Sequence, residues 1–468
     1  MPTIATSPVP TQLPPDPDLS ENLPTNGRRH LETADEASIR IKIAIVIAVV
    51  ALLLAGLAGR SEVQFRHKSD ALDAQISAYR AQRWERQVLR GSGKDENAAA
   101  RIYVALAGLK ALPDKVREKL AASLYYGGEL DGAPLALVEA EQKRIAALRD
   151  ASRGRFSMTS IDVEAGTLAT TPDYRQVMDA ALLMLAHARR SKPAECLEIA
   201  AQTIRMGQDL VPGAPLEAAS IAMRITSVAI PVIARCAGAA DVGALMQTAR
   251  DFHTMATSPP PVGSGIELSD LQALVTLRGL ADLSGEAGDD ATAMARLRRR
   301  PVLFEAWEQF GRPDRWREVR SDGYPAALEV WRKDQEWRAR SSLPLLAGAG
   351  AGVEGWLLDD MRGQALLRCL TVGLSTLAER ARRGKLGREP KRLDEPAMRD
   401  PFSGDLLKWR VNQTGSELTI WSVGENRRDD RASREWERQS PADVVIHLPL
   451  TEAEDEKATR KKRRRWRR

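Results

Sequence analysis

The chain is poor in the residues that usually announce chemistry. It contains no H-E-x-x-H, no G-x-S-x-G and no Walker loop, which excludes the commonest signatures of zinc proteases, α/β-hydrolases and P-loop nucleotidases. Cysteine is scarce: Cys196, Cys236 and Cys369 give neither a disulfide framework nor a metal-binding spacing. The pair Cys196 and Cys236 would bond if their helices are neighbours, which suits an oxidising compartment, but three buried thiols is the preferred reading. Aromatic residues make up 5% of the chain, and ten of those rings are Trp. The five histidines, His30, His67, His187, His253 and His447, fall on separate elements. No fixed repeat period is present, so a regular solenoid is not established.

What the chain does have is one long apolar run. Ile43 to Gly59, IAIVIAVVALLLAGLAG, carries no charge and no polar side chain and is bracketed by Arg40, Lys42 and Arg60. A helix rises ~1.5 Å per residue, and roughly 17–25 apolar residues suffice to cross a bilayer. The lipid bilayer is therefore the expected partner of residues 43–59. Residues 1–38, with Pro2, Pro8, Pro10, Pro14, Pro15, Pro17 and Pro24 among small and polar residues, read as a disordered tail. So long a tail favours an uncleaved anchor, while Gly56-Leu57-Ala58 keeps open a cleaved signal. Arg28, Arg29, Arg40 and Lys42 before the run are nearly balanced by Arg60, Arg66 and Lys68 after it, so basic flanks do not orient it.

Beyond the anchor the pattern predicts a mainly α protein: a helical stalk over 61–95, an α-helical domain over 96–395 and a small antiparallel β element over 396–450. A charged tail over 451–468 follows. Asn97 opens a helix that Pro113 stops. Val177, Ala181, Met184, Leu185 and Ala188 form one apolar face, and Leu197, Ala200, Ala201 and Ile204 the facing one across Ser191-Lys192-Pro193. This is a helical hairpin, the unit of a bundle or an irregular solenoid. A helix around 216–236 is expected to kink or break at Pro231, and another runs from about Ser269 to Leu283 after the break TSPPPVGSG. After Pro396, Leu407, Trp409 and Val411 alternate, Gln413-Thr414-Gly415 turns, and Leu418 to Val423 and Asp443 to Leu450 supply two more strands.

The net charge of +6 belongs to the end of the chain. The last nine residues, RKKRRRWRR, carry eight basic groups and leave the remainder at −2. This tail can contact anionic surfaces, whether lipid, nucleic acid or an acidic partner, or pack on the acidic run Glu452 to Glu456. The Trp-Arg pairs Trp316-Arg317, Trp331-Arg332 and Trp337-Arg338 suggest a stacking surface, against the plainer reading of rings turned inward with guanidinium groups in water. Gly350 to Gly355 matches G-x-G-x-x-G but lacks a βαβ frame, and Asp289-Asp290 and Asp359-Asp360 point about 100° apart on a helix. Asn412-Gln413-Thr414 is a formal glycosylation sequon at a hairpin turn.

One stretch has motif-level specificity. Asp400, Pro401, Phe402 and Gly404, then Ser422, Gly424, Asn426, Asp429 and Asp430, then Asp443 and Val444 resemble a recurring ending of uncharacterised bacterial envelope proteins. The same ending is similar to the C-terminal part of the major pseudopilins of type II secretion. Asn97 to Ala99 and Arg155-Phe156 agree with the envelope proteins. The resemblance implies an exported helical domain capped by a small β element. No prepilin signature precedes Ile43, so filament assembly is not implied. The pseudopilin acidic loop can hold calcium; the matching weak metal candidates here are Asn426, Asp429 and Asp430, interleaved with Arg427, Arg428 and Arg431. No catalytic residue and no cofactor-binding set is identified. The expected function is a membrane-anchored envelope interaction or scaffold module, the alternatives being an accessory component of a secretion system or an enzyme with an unrecognised site.

Overall fold

In a computed structural model the chain divides into two units, Met1–Gly59 and Arg60–Arg468. The structure describes residues 34–89, 97–153, 173–215, 217–258, 262–282, 324–340, 353–384, 398–432 and 443–450, with the single positions 157, 159, 161, 163, 304, 390 and 395. The protein is mainly α: among the described residues there are twelve helices and one three-stranded sheet.

The described part of the first unit is helical and belongs to α1 (Ala34–Leu89). Its apolar side chains face outward, with Leu52 73% exposed, and nothing within 4 Å would meet a Cβ added at Gly56 or Gly59. The segment is long and apolar enough to cross a membrane.

In the second unit, Phe65, Leu72 and Ile76 of α1 are buried, and Arg278 of α10 (Val262–Asp282) pairs with Asp73. The helices α2 (Ala98–Leu106), α3 (Asp114–Tyr126), α4 (Gly132–Ala140) and α5 (Gln142–Ala151) lead into the central hairpin. That hairpin pairs α6 (Tyr174–Ala188) with α7 (Pro193–Asp209). Asp173 caps α6 by accepting from the amides of Arg175 and Gln176, and Pro193 sits at the start of α7, where its missing N–H costs nothing. The predicted faces are buried, but α6 is buried nearly all round, because α3, α4, α7 and α8 (Glu217–Ala237) all pack on it. α9 (Val242–Thr257) packs on α7, and α12 (Val353–Arg383) lies on both α8 and α9. α11 (Tyr324–Arg340) packs on α12.

Three boundaries differ from the sequence reading. α2 stops at Leu106 rather than at Pro113. Residues 107–113 instead form a loop whose Leu109 and Leu112 are buried, held by side chains from α6. Of the kink or break expected at Pro231, the break does not occur: α8 continues through it as one helix. The ring removes one intrahelical bond, yet burial of Val228, Ala229, Val232 and Ile233 keeps the helix continuous. α10 begins at Val262, so Gly263-Ser264-Gly265 is helical and the break after α9 is shorter than TSPPPVGSG.

The sheet has the order β1-β2-β3, with β1 (Lys408–Val411), β2 (Glu417–Ser422) and β3 (Val444–Pro449) antiparallel throughout. Leu418, Ile420, Ile446 and Leu448 share one hydrophobic core with the helices. The approach to α12 is close at Gly373, where an added Cβ would collide with Leu448 Cδ1.

Candidate functional site

The motif residues at the end of the chain gather around two buried carboxylates. The first belongs to Asp400, which is 1% exposed. Its Oδ1 accepts from the Phe402 amide at 2.8 Å and from Ser422 Oγ at 2.9 Å, and its Oδ2 accepts from the Val423 amide at 2.8 Å. The backbone closes the same turn: Asp400 donates to the Asp405 carbonyl and Gly404 donates to that of Asp400. Gly404 has φ +79°, a left-handed conformation that favours glycine. Ser422 Oγ also accepts from the Gly424 amide at 3.3 Å. Asp-Pro-Phe-x-Gly and Ser-x-Gly are therefore the two halves of one clamp. It fixes Phe402 in a cluster with Leu328, Trp331 and Leu357 and ties the turn to the end of β2.

The second carboxylate is that of Asp443, just before β3. It accepts from the Ala432 amide at 2.8 Å and from the Asp430 amide at 3.3 Å. Burial pushes it up to about 6, opposed by those two backbone bonds and reinforced by the neighbouring charges of Asp430 and Asp429. The loop it holds contains three non-glycine residues at positive φ: Arg427 (53°), Arg431 (60°) and Ala432 (62°). Such residues persist only where surrounding bonds over-determine them.

The three weak metal candidates are brought together in this loop, and each is engaged within the protein. Asp429 Oδ1 accepts from Trp421 Nε1 at 3.0 Å and from the Arg431 amide at 2.9 Å. Asn426 Oδ1 accepts from the Arg428 amide at 2.9 Å, while its Nδ2 donates to Asp430 Oδ2 at 2.7 Å. Arg427, Arg428 and Arg431 stand exposed around them. Calcium takes about six to eight oxygen ligands. Among the described residues no group of three or more His, Cys, Asp or Glu side chains is arranged to hold a metal ion. Asp429 Oδ1, Asn426 Oδ1 and Asp430 Oδ2 accept N–H groups of the loop and of Trp421 and so hold the shape of the loop.

Other singled-out residues stay apart. The sequon residue Asn412 holds the β1–β2 turn by accepting from the Ser416 amide at 2.8 Å and the Glu417 amide at 3.1 Å. His447 Nδ1 meets Glu417 Oε1 at 2.9 Å across two strands, beside Thr419 Oγ1 at 3.2 Å. His253 lies 3.6 Å from Glu395. His187 is shifted down by burial and by Arg149, partly offset by Glu195. His67 is exposed on α1, and His30 lies outside the described residues. Gly355 lies in α12, while Gly350 and Gly352 are outside the described residues. Asp359 accepts from Ser220 of α8 and pairs with Arg362, whereas burial pushes its neighbour Asp360 up to about 7. Trp331 is buried and Arg332 exposed, as in the plainer reading of that pair. Trp316, Arg317, Asp289 and Asp290 lie outside the described residues, as does the basic tail.

In the second unit one alternative of the sequence reading is realised, and one feature goes beyond that reading. Cys196 of α7 and Cys236 of α8 form a disulfide, with Cα atoms 6.3 Å apart, so the preferred expectation of three thiols gives way to one. Cys369 is that thiol, buried on α12 and pushed up by burial. The helices are neighbours because the short hydrophobic faces of α7 and α8 interlock, Gly207 lying against Ala222 and Ile225. The feature beyond that reading is Asp179, fully buried in the middle of α6. It accepts from Arg117 Nε at 2.6 Å, from Arg117 Nη2 at 3.0 Å and from the Leu112 amide at 2.8 Å. One charge inside the apolar run of α6 was its only sequence signal. Comparison with family models, curated proteins and solved structures finds no match.

Proposed function

We propose that the chain is a single-pass envelope protein. Residues 1–40 lie in the cytoplasm, and the unit that follows the anchor lies outside it, serving as a non-enzymatic interaction or scaffold module. The observation that carries this reading is the Cys196–Cys236 disulfide in a chain that also bears a segment able to span a membrane. Disulfides persist in oxidising compartments and are rare where thiol reductants are abundant. The module reading is supported by the engagement of the conspicuous carboxylates: Asp179, Asp400, Asp429 and Asp443 all accept bonds that hold loops in place. On this topology the basic tail meets envelope polyanions rather than nucleic acid.

A second reading, an accessory component of a secretion system, draws support from the Asp400–Ser422 clamp, which joins residues whose pattern resembles pseudopilin endings. It predicts co-purification with secretion components.

Topology tests the first reading. A cysteine introduced as Gln413→Cys, at the exposed β1–β2 turn, on a Cys369→Ala background is treated in intact cells with a membrane-impermeant maleimide. Labelling without lysis is the expected result. Labelling only after lysis would place the large unit in the cytoplasm and overturn it.

A further inference from the structure

Both sulfurs of the disulfide are sealed, Cys196 at 0% and Cys236 at 8% exposure, in the same hydrophobic core that encloses Cys369. Thiol–disulfide exchange needs a thiolate in line with an accessible disulfide. A protein catalyst cannot reach these sulfurs once α7, α8 and α12 have packed, so the bond forms before the core closes. Three cysteines permit three pairings, and both wrong ones use Cys369. On the topology proposed above, on which this inference rests, the anchor leads and the chain emerges from its N-terminal side. Cys196 emerges first, Cys236 follows 40 residues later, and Cys369 comes more than a hundred residues after that. At ~5–20 residues per second of synthesis, Cys369 is absent for roughly 7–27 s after Cys236 appears. Disulfide formation takes seconds at its fastest and hours without an efficient oxidant, so a catalysed exchange fits this interval and an uncatalysed one does not. The order of exit therefore selects the native pair.

We infer that the second unit is a substrate of an envelope dithiol–disulfide oxidase, a protein carrying a reactive disulfide, which joins Cys196 to Cys236 in order of emergence and leaves no work for a disulfide isomerase. The Cys196 thiolate attacks one sulfur of the oxidase disulfide, forming a mixed disulfide and releasing the other oxidase sulfur as a thiolate. The Cys236 thiolate then attacks Cys196 Sγ, forms the native bond and expels the oxidase. Two electrons pass from the cysteine pair to the oxidase, and the two cysteine protons end on its thiols.

The test expresses the full chain in bacterial cells that are wild type, lack the envelope thiol oxidase or lack the disulfide isomerase. Cells are quenched in acid, the protein is unfolded, and free thiols are counted by the gel shift of a polymer-linked maleimide. Spheroplasts from the same cultures are treated with external protease to report where the unit lies. One adduct in wild-type cells, three without the oxidase, and one without the isomerase, carried by Cys369 in peptide mapping, are the expected results. Bridged Cys369 in cells lacking the isomerase would overturn the order-of-exit argument. A single adduct persisting without the oxidase would overturn the assignment of the partner. Three adducts in wild-type cells with the unit open to protease would overturn this inference alone. Three adducts with the unit shielded would overturn the proposed topology and this inference with it.

Discussion

Removing the carboxylate of Asp179 isolates the energetics of the central hairpin. The side chain is fully buried and receives three donors, two from Arg117 and one from the Leu112 amide. Arg117 is partly exposed, also binds Asp114 at 2.6 Å and donates to the Leu112 carbonyl at 2.9 Å. Breaking a buried ion pair costs about 3–5 kcal/mol, because it leaves a charge without compensation. The two partners are not equivalent. In Asp179→Ala the guanidinium keeps Asp114 and water, and the main loss is the orphaned Leu112 N–H, worth about 1–3 kcal/mol, plus the charge-assisted bonds. In Arg117→Ala the carboxylate stays in the core with a single N–H. Arg117→Ala should therefore cost ~4 kcal/mol and Asp179→Ala ~3 kcal/mol, with the double variant well short of their sum. Urea unfolding of the full-length protein in detergent micelles, followed by Trp fluorescence, measures all three. Hydrogen exchange at Leu112 gives a local reading, since its protection should fall in Asp179→Ala. A cost below about 1 kcal/mol for Asp179→Ala, or strict additivity in the cycle, would refute the reasoning.

Three further outcomes are expected. Cys196→Ala with Cys236→Ala frees a loop closed over 40 residues, which the chain-entropy relation values at about 4 kcal/mol; an unchanged urea midpoint would count against a stabilising bond. Asp400→Ala orphans three donors and should cost ~3–5 kcal/mol, whereas Ser422→Ala loses the bond donated to Asp400 and the weaker one accepted from the Gly424 amide and should cost ~2 kcal/mol; trypsin cleavage after the exposed Arg427 and Arg428 should accelerate strongly in the first and less in the second. Asp443 is raised from 3.8 to about 6, so the folded protein holds this proton more tightly than the unfolded chain does. Its contribution to stability is present below the lower value and is lost as pH rises to about 6, a change of ~3 kcal/mol for about two units. The stability of wild type relative to Asp443→Asn should therefore fall between pH 4 and 6 and level off above, and a difference that grows with pH would reverse the assignment.

The helices were legible where one face differs from the other. In α7 the apolar stripe, Pro193 and the preceding turn agree, and the structure places that stripe in the core. In α6 the stripe gave the right element but understated its position, because a helix packed on every side by other helices has no polar face to read. α2 ended early for a tertiary reason: the loop after it is held by Asp179 and Gln176, 67 positions further along the chain. Local propensity contains no trace of those donors and acceptors. Pro231 was legible as a defect but not as a tolerated one, since burial on both flanks outweighs one missing bond.

The carboxylate-rich ending was legible as a pattern and not as a set of roles. A sequence shows that Asp400 and Ser422 are 22 positions apart; only the register of the β hairpin shows that the end of β2 returns to the turn containing Asp400. Once that register is known, the spacing of the motif has a mechanical explanation. Asp is needed because its two oxygens meet donors on both segments, Gly404 because the turn passes through positive φ, and Ser422 because its hydroxyl donates to Asp400 while accepting from Gly424. Each requirement concerns backbone geometry. A resemblance at these residues can therefore reflect the clamp alone and need carry no function with it. The acidic loop fits the same account. Asn426 Oδ1, Asp429 Oδ1 and Asp430 Oδ2 accept from amides of a positive-φ turn, from Trp421 and from one another, which ties the loop to β2. What the ending transmits is a shape, and the chemistry of any partner must be sought on the surfaces that this shape presents.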